Sequence, residues 1–231
     1  MRQNLQAILG YKLTATDGDV GHVQDFYFDD ETWAVRFVLA EPGVWLGERQ
    51  VLLSPHAFGR LDRESKILSL NLTRKQIENS PPVESHQTVS RQHEIANNRY
   101  YGWPGSWDGG SLRALGCYPI VLPRSKVEME ENRHDHDQDD IHLRSSNAIK
   151  GYKIHATDGL LGSVCGFMVD DVSWIIGEIV AESGHWYSGK EILIPTGEVE
   201  RISRADSQVY VKVTMAAIQH TAENKTVKAC G

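Results

Sequence analysis

The chain has 231 residues, 40% of them hydrophobic and 24% charged, which is ordinary usage for a globular protein of one or two domains. Its 24 Lys plus Arg stand against 31 Asp plus Glu, a net of -7, and no segment carries the dense basic face that phosphate neutralisation demands, which argues against nucleic acid as the main partner. No apolar run approaches the roughly 20 residues that cross a bilayer, and Met1-Arg2-Gln3-Asn4-Leu5 lacks the apolar stretch of a secretory leader, so a cytoplasmic protein without an integral membrane segment is expected.

From Ala7 onward the chain states a pattern that it later repeats. Ala7-Ile8-Leu9-Gly10-Tyr11-Lys12 and Thr16-Asp17-Gly18 return, displaced by 141 positions, as Ala148-Ile149-Lys150-Gly151-Tyr152-Lys153 and Thr157-Asp158-Gly159. The match continues without a gap: Phe26, Asp29, Asp30, Trp33, Trp45 and Leu52 meet Phe167, Asp170, Asp171, Trp174, Trp186 and Leu193. Two copies make a pair of modules and not a solenoid. A module of about 75 residues is marginal by itself, so the two should pack on each other or on a second chain.

Each copy reads as short strands joined by tight turns. Asp17-Gly18 and Asp158-Gly159 are hairpin-turn chemistry of the type that needs positive φ. Strands are expected over residues 20–29 and 161–170, ending in Asp-Asp, and then over 33–40 and 174–181. In the latter pair Trp33, Val35, Phe37 and Leu39 alternate with Ala34, Arg36, Val38 and Ala40, and Trp174, Ile176, Glu178 and Val180 with Ile175, Gly177, Ile179 and Ala181. A turn carrying Trp45 or Trp186 precedes a strand at 50–54 or 191–195, and a last strand falls at 66–72 or 207–213. Thr73 or Thr214 then caps a short helix, and Ser80-Pro81-Pro82 stops the first one. The expected fold is mainly β: two small β-barrels, each followed by a short α-helix, joined by a long irregular linker. The expected boundaries are 1–80 for the first copy, 81–146 for the linker, 147–223 for the second copy and 224–231 for a tail.

Gly10-Tyr11-Lys12, Thr16-Asp17-Gly18, Gly21-His22-Val23, Phe26, Asp29-Asp30, Trp33-Ala34-Val35-Arg36 and Val51-Leu52-Leu53-Ser54-Pro55 resemble the PRC-barrel family. That β-barrel module is shared by the cytoplasmic part of the photosynthetic reaction-centre H subunit and the C-terminal domain of the ribosome maturation factor RimM. The second copy repeats most of these elements, and together they cover about two thirds of the chain. The layout is similar to bacterial two-barrel PRC proteins, in which a segment like Val89-Ser90-Arg91-Gln92-His93-Glu94, an aromatic run like Tyr100-Tyr101-Gly102-Trp103-Pro104 and a stretch like His142-Leu143-Arg144-Ser145 lie between the barrels. The resemblance implies a fold without a chemistry. An H-subunit role would call for a membrane-spanning N-terminal helix, and RimM places a different barrel ahead of its PRC module.

Candidate sites are few. Adjacent strand residues point to opposite faces, so Asp29-Asp30 and Asp170-Asp171 suit turn formation better than shared acid/base work. The run 130–142 offers His134, His136 and His142 among carboxylates, weak candidates for a divalent metal, but nothing apolar to fix their spacing. A charged, solvated linker explains it more simply, and no cofactor is expected. The aromatic run Tyr100, Tyr101, Trp103 and Trp107 lies among glycines and a proline, which argue against a regular helix or strand. It should dock all the same, because each large ring buries roughly 150–250 Å² when it finds a surface. It acts either as a clasp across its own barrels or as an anchor on a partner. Trp45 and Trp186 cap a barrel end or form an exposed contact. Glu178 stands where the first copy has Phe37; if buried it would need a partner such as Lys190 or Lys212 or would become protonated, and a face open to solvent is the simpler expectation.

Cys117, Cys165 and Cys230 lie far apart in no ligand spacing and read as free thiols of a reducing compartment. No phosphate loop, nucleophile elbow or nucleophile-base-acid set is found, so an enzyme is not expected. The leading expectation is a non-catalytic binding or scaffold protein with a protein partner or self-association. An accessory of photosynthetic or other membrane electron transport, similar to the H subunit and peripheral to the membrane, comes second. A small-ligand or metal-binding protein comes third.

Overall fold

The computed structural model describes residues 1–42, 50–81, 91–103, 142–184 and 190–218. The strands form two seven-stranded mixed sheets of the same design. The first module supplies β2 (Lys12–Ala15), β3 (Gly18–Asp29), β4 (Val35–Pro42), β5 (Val51–Leu53), β6 (Phe58–Asp62) and β7 (Ile67–Leu70), then the helix α2 (Arg74–Glu78). The second supplies β9 (Lys153–Ala156), β10 (Gly159–Asp170), β11 (Ile176–Ser183), β12 (Glu191–Pro195), β13 (Val199–Ser203) and β14 (Gln208–Val211). Hydrogen bonds follow the order β5-β4-β3-β2-β7-β6 in one and β12-β11-β10-β9-β14-β13 in the other. The strand that returns beside β2 or β9 runs parallel to it, so the sheet is more than the meander that the turns suggest. β6 and β13 are strands that the sequence pattern does not announce.

The seventh strand of each sheet is borrowed. β1 (Arg2–Asn4), which leads the first module, pairs with β10 of the second, and β8 (Leu143–Ser145), which leads the second, pairs with β3 of the first. The registers are equivalent: Arg2 faces Asp170 as Leu143 faces Asp29, and Asn4 faces Met168 as Ser145 faces Tyr27. Each lead strand ends in a single helical turn, α1 (Leu5–Ile8) or α4 (Ser146–Ile149), capped by Asn4 or Ser145, whose side chain accepts from the N–H of Gln6 or Ala148. The last four residues of the expected linker thus belong to the first module's sheet and to α4.

The exchange is completed at a pseudo-two-fold centre where Ala34 bridges Ile175. The Val35 N–H donates to the Trp174 carbonyl and the Ile176 N–H to the Trp33 carbonyl, both at 2.8 Å. Trp33 and Trp174 hold φ of 59° and 55°, a left-handed conformation that costs a bulky residue of order 1–3 kcal/mol and persists only where packing over-determines it. Here it does: Phe28 stacks on Trp33 at 5.6 Å and packs on Phe167 at 5.0 Å, while Phe58 meets Trp174 edge-on at 4.7 Å. One buried core runs through both modules without a break.

Two sequence readings are corrected by backbone geometry. The 33–40 strand does not keep strict alternation, because a bulge at Arg36 lets Tyr27 face Phe37 while Phe28 faces Val35. Val35, Val38 and Ala40 therefore enter the shared core, whereas Phe37 and Leu39 join Leu52, Leu143 and Tyr27 in a second cluster on the other side of the sheet. The same bulge falls at Gly177 and separates Glu178 from Trp174 and Ile176. The hairpin loop is Thr16-Asp17, closed by the Ala15–Gly18 pair, with Gly18 at φ 149° as the left-handed residue. The Asp17 side chain is left to anchor the terminal helix. Its Oδ1 accepts the Arg74 N–H at 2.7 Å at the start of α2, and Asp158 does the same for Met215 at 2.9 Å. Thr73 caps α2 as the sequence suggests, and Gln76 completes a capping box with it.

Candidate functional site

The aromatic run forms a small platform on the first module. Tyr100 and Tyr101 are the last turn of α3 (Arg91–Tyr101) and not an irregular segment, because Gly102 ends a helix that begins upstream of the run. Gly102 takes φ 69°, and the Trp103 N–H reaches back to the Asn98 carbonyl at 2.9 Å, the 6→1 bond of a Schellman stop. That turn folds Trp103 under the helix, where its ring stacks on Tyr101 at 4.2 Å and lies 6.2 Å from the His56 imidazole. Tyr101 and Trp103 pack half-buried against the core. Asn97, fully buried, donates to the Leu52 carbonyl, and the Tyr100 hydroxyl donates to the Gln76 carbonyl at 3.0 Å. Tyr100 meets Tyr101 edge-on but keeps 42% of its surface in solvent. The named partners His56, Leu52 and Gln76 belong to the first module. Trp107, Trp45, Trp186, His134, His136, Cys117 and Cys230 lie outside the described residues.

The paired carboxylates divide their work. Asp29 Oδ1 accepts from the N–H groups of Glu31 and Thr32 and from the Thr32 hydroxyl, and Asp170 Oδ1 accepts likewise from Val172 and Ser173. Burial pushes Asp29 upward, but these hydrogen bonds, with Arg36 at 3.1 Å, outweigh it and leave the carboxyl below its ordinary range. Asp170 is held well below that range, first by the Ser173 and Val172 N–H groups. The second Asp of each pair turns to the borrowed strand. Asp30 accepts from Arg144 Nε at 2.6 Å and lies 2.9 Å from His142 Nδ1. Asp171 accepts from Arg63 at 3.2 Å and from the Met1 ammonium. The hydrogen bond to Asp30 raises the His142 pKa. His142, a weak metal candidate by sequence, thus sits in an ion-pair network. Among the described residues no group of three or more His, Cys, Asp or Glu is arranged to hold a metal ion.

Glu178 is buried, 5% exposed, and not open to solvent. Its carboxylate pairs with Arg2 of the borrowed strand, at 3.0 Å. Cys165, equivalent to Gln24, is half-buried; its thiol donates to the Val180 carbonyl, and burial pushes its pKa up.

A second surface has no counterpart among the sequence motifs. On the outer face of β9, β14 and β13, Tyr210 stacks beside His155 at 5.7 Å while the Arg201 guanidinium lies 4.1 Å over its ring. The first copy has Thr14, Ser69 and Arg60 at these positions, so the array belongs to the second module alone. Parallel pairing of β9 with β14 creates it, and a meander could not have brought His155 to Tyr210.

No helix among the described residues is long and apolar enough to cross a membrane. No family model matches the chain, and no curated protein matches it.

Proposed function

We propose that the protein is a non-catalytic, cytoplasmic binding or scaffold protein built from two PRC-type barrels, and that it recognises a protein partner through the aromatic platform of the first module. The three-residue turns Pro55–Ala57 and Thr196–Glu198 between β5 and β6 and between β12 and β13 support barrel closure, since they keep the two ends of each strand path adjacent. The observation that carries the binding role is Tyr100. It projects from a helix end that is fixed by a Schellman stop, by Asn97 and by the Tyr101–Trp103 stack, so an aromatic side chain is presented with little rotamer freedom left to lose on binding. The carboxylates at the turns are engaged in hydrogen bonds that shape the fold, and this favours a binding role over acid/base chemistry.

Cross-linked affinity capture of the intact chain, compared with Tyr100→Ala and with Trp103→Ala, tests the proposal. Tyr100→Ala should abolish capture of a reproducible partner while the chain stays folded, with a smaller fall in melting temperature than Trp103→Ala gives. Trp103→Ala should lower the melting temperature by removing a half-buried ring. Undiminished capture by a folded Tyr100→Ala variant would refute the platform.

A further inference from the structure

The two modules share a fold but not the residues that receive the borrowed strands, and the differences are matched across the junction. In the first module Asp25, 6% exposed, accepts from the hydroxyls of Ser145 at 2.5 Å and Ser146 at 2.7 Å and from the Asn147 N–H at 3.1 Å. Its equivalent in the second module is Gly166, where even a Cβ would stand 2.7 Å from Asn4 Oδ1. The first module offers Phe37 to Leu143 inside an apolar cluster, whereas the second offers Glu178 to Arg2. Leu143 and Arg2 are equivalent positions, as are Phe37 and Glu178, so both members of the pair have changed together.

We infer that these matched positions form a pairing code by which each module accepts only the lead strand of the other, so that the surface around β3 or β10 is a binding site for the opposite module of the same chain. Pairing two first modules would press Asn4 into the space that Asp25 fills and bring Arg2 against Phe37. Pairing two second modules would set Leu143 against Glu178, deprive that carboxylate of Arg2, and leave the Ser145 and Ser146 hydroxyls facing Gly166 instead of an acceptor. Unmet buried polar groups and overpacking are the two penalties that discriminate most strongly between partners. The covalent connection favours the intrachain pair further, because a tethered module faces its mate at an effective concentration of order millimolar.

The test is a full-length protein with a protease site inserted after residue 103, nicked once folded, then denatured and refolded at equal proportions of the two halves. Native mass spectrometry should find mixed pairs in at least about tenfold excess over like pairs, as a discrimination above ~1.4 kcal/mol requires. A statistical mixture of like and mixed pairs, or halves that stay separate, would overturn the inference. A second measurement on the uncut chain is independent of refolding. Phe37→Glu should lower the melting temperature, and adding Leu143→Arg should recover most of the loss by recreating the Arg2–Glu178 pair. Lack of recovery would contradict the code.

Discussion

Replacing Asp25 by Ala removes one acceptor group that serves three donors from the borrowed strand and its helix. Ser146 is fully buried, and the Asn147 N–H and Ser145 hydroxyl are partly covered. Each donor left unsatisfied costs about 1–3 kcal/mol when buried and less when water can reach it, so a total of about 3 kcal/mol is expected. In a protein of this size each kcal/mol moves the midpoint by roughly 2–4 °C, and the melting temperature should fall by about 6–12 °C. The assay is thermal unfolding by circular dichroism, in which the continuous core should give one transition. A double-mutant cycle with Ser146→Ala isolates the Asp25–Ser146 bond and should return a coupling of about 1 kcal/mol. A fall below about 2 °C, or strictly additive effects, would refute the assignment of Asp25 as the acceptor that anchors the second module's lead strand.

A Cβ at Gly162 would lie 2.1 Å from the Glu182 carbonyl oxygen, whereas one at Gly177 meets nothing within 4 Å. Gly162→Ala should therefore destabilise by about 3 kcal/mol or prevent folding, while Gly177→Ala should stay within about 0.5 kcal/mol, as chemical denaturation will show. His142 carries a folded-state pKa above its ordinary 6.5. Its contribution is thus fully present below pH 6.5 and is lost as pH rises through the elevated value. The melting temperature of the wild type minus that of His142→Asn, measured at pH values from mildly acidic to mildly basic, should shrink with increasing pH; a difference that grew would contradict the His142–Asp30 contact.

The repeat makes the sheet design legible because the residues that define it are local: Thr-Asp-Gly at the first turn, Asp-Asp before the tryptophan, Thr before the terminal helix. What the sequence hides is non-local. The bulge at Arg36 and Gly177 is invisible to period-two alternation, and it moves Phe37 and Glu178 off the face that alternation assigns to them. β6 and β13 escape the pattern, and so does the parallel return of β7 and β14 that gathers His155, Tyr210 and Arg201. The lead strands lie just outside the repeated pattern, where Arg2-Gln3-Asn4 and Leu143-Arg144-Ser145 have no residue in common position by position. Their divergence resembles linker sequence, yet each strand is fitted to a different host module. The contrast of Phe37 with Glu178 is visible in the sequence, but its meaning requires knowing that Leu143 and Arg2 stand opposite them.

Strand exchange between the modules is the claim on which the rest depends, and cross-strand nuclear Overhauser contacts on the labelled full-length chain test it most directly. The exchanged arrangement predicts backbone contacts from Asn4 to Met168 and from Ser145 to Tyr27. Contacts from Asn4 to Tyr27 and from Ser145 to Met168 would place each lead strand on its own module and contradict it.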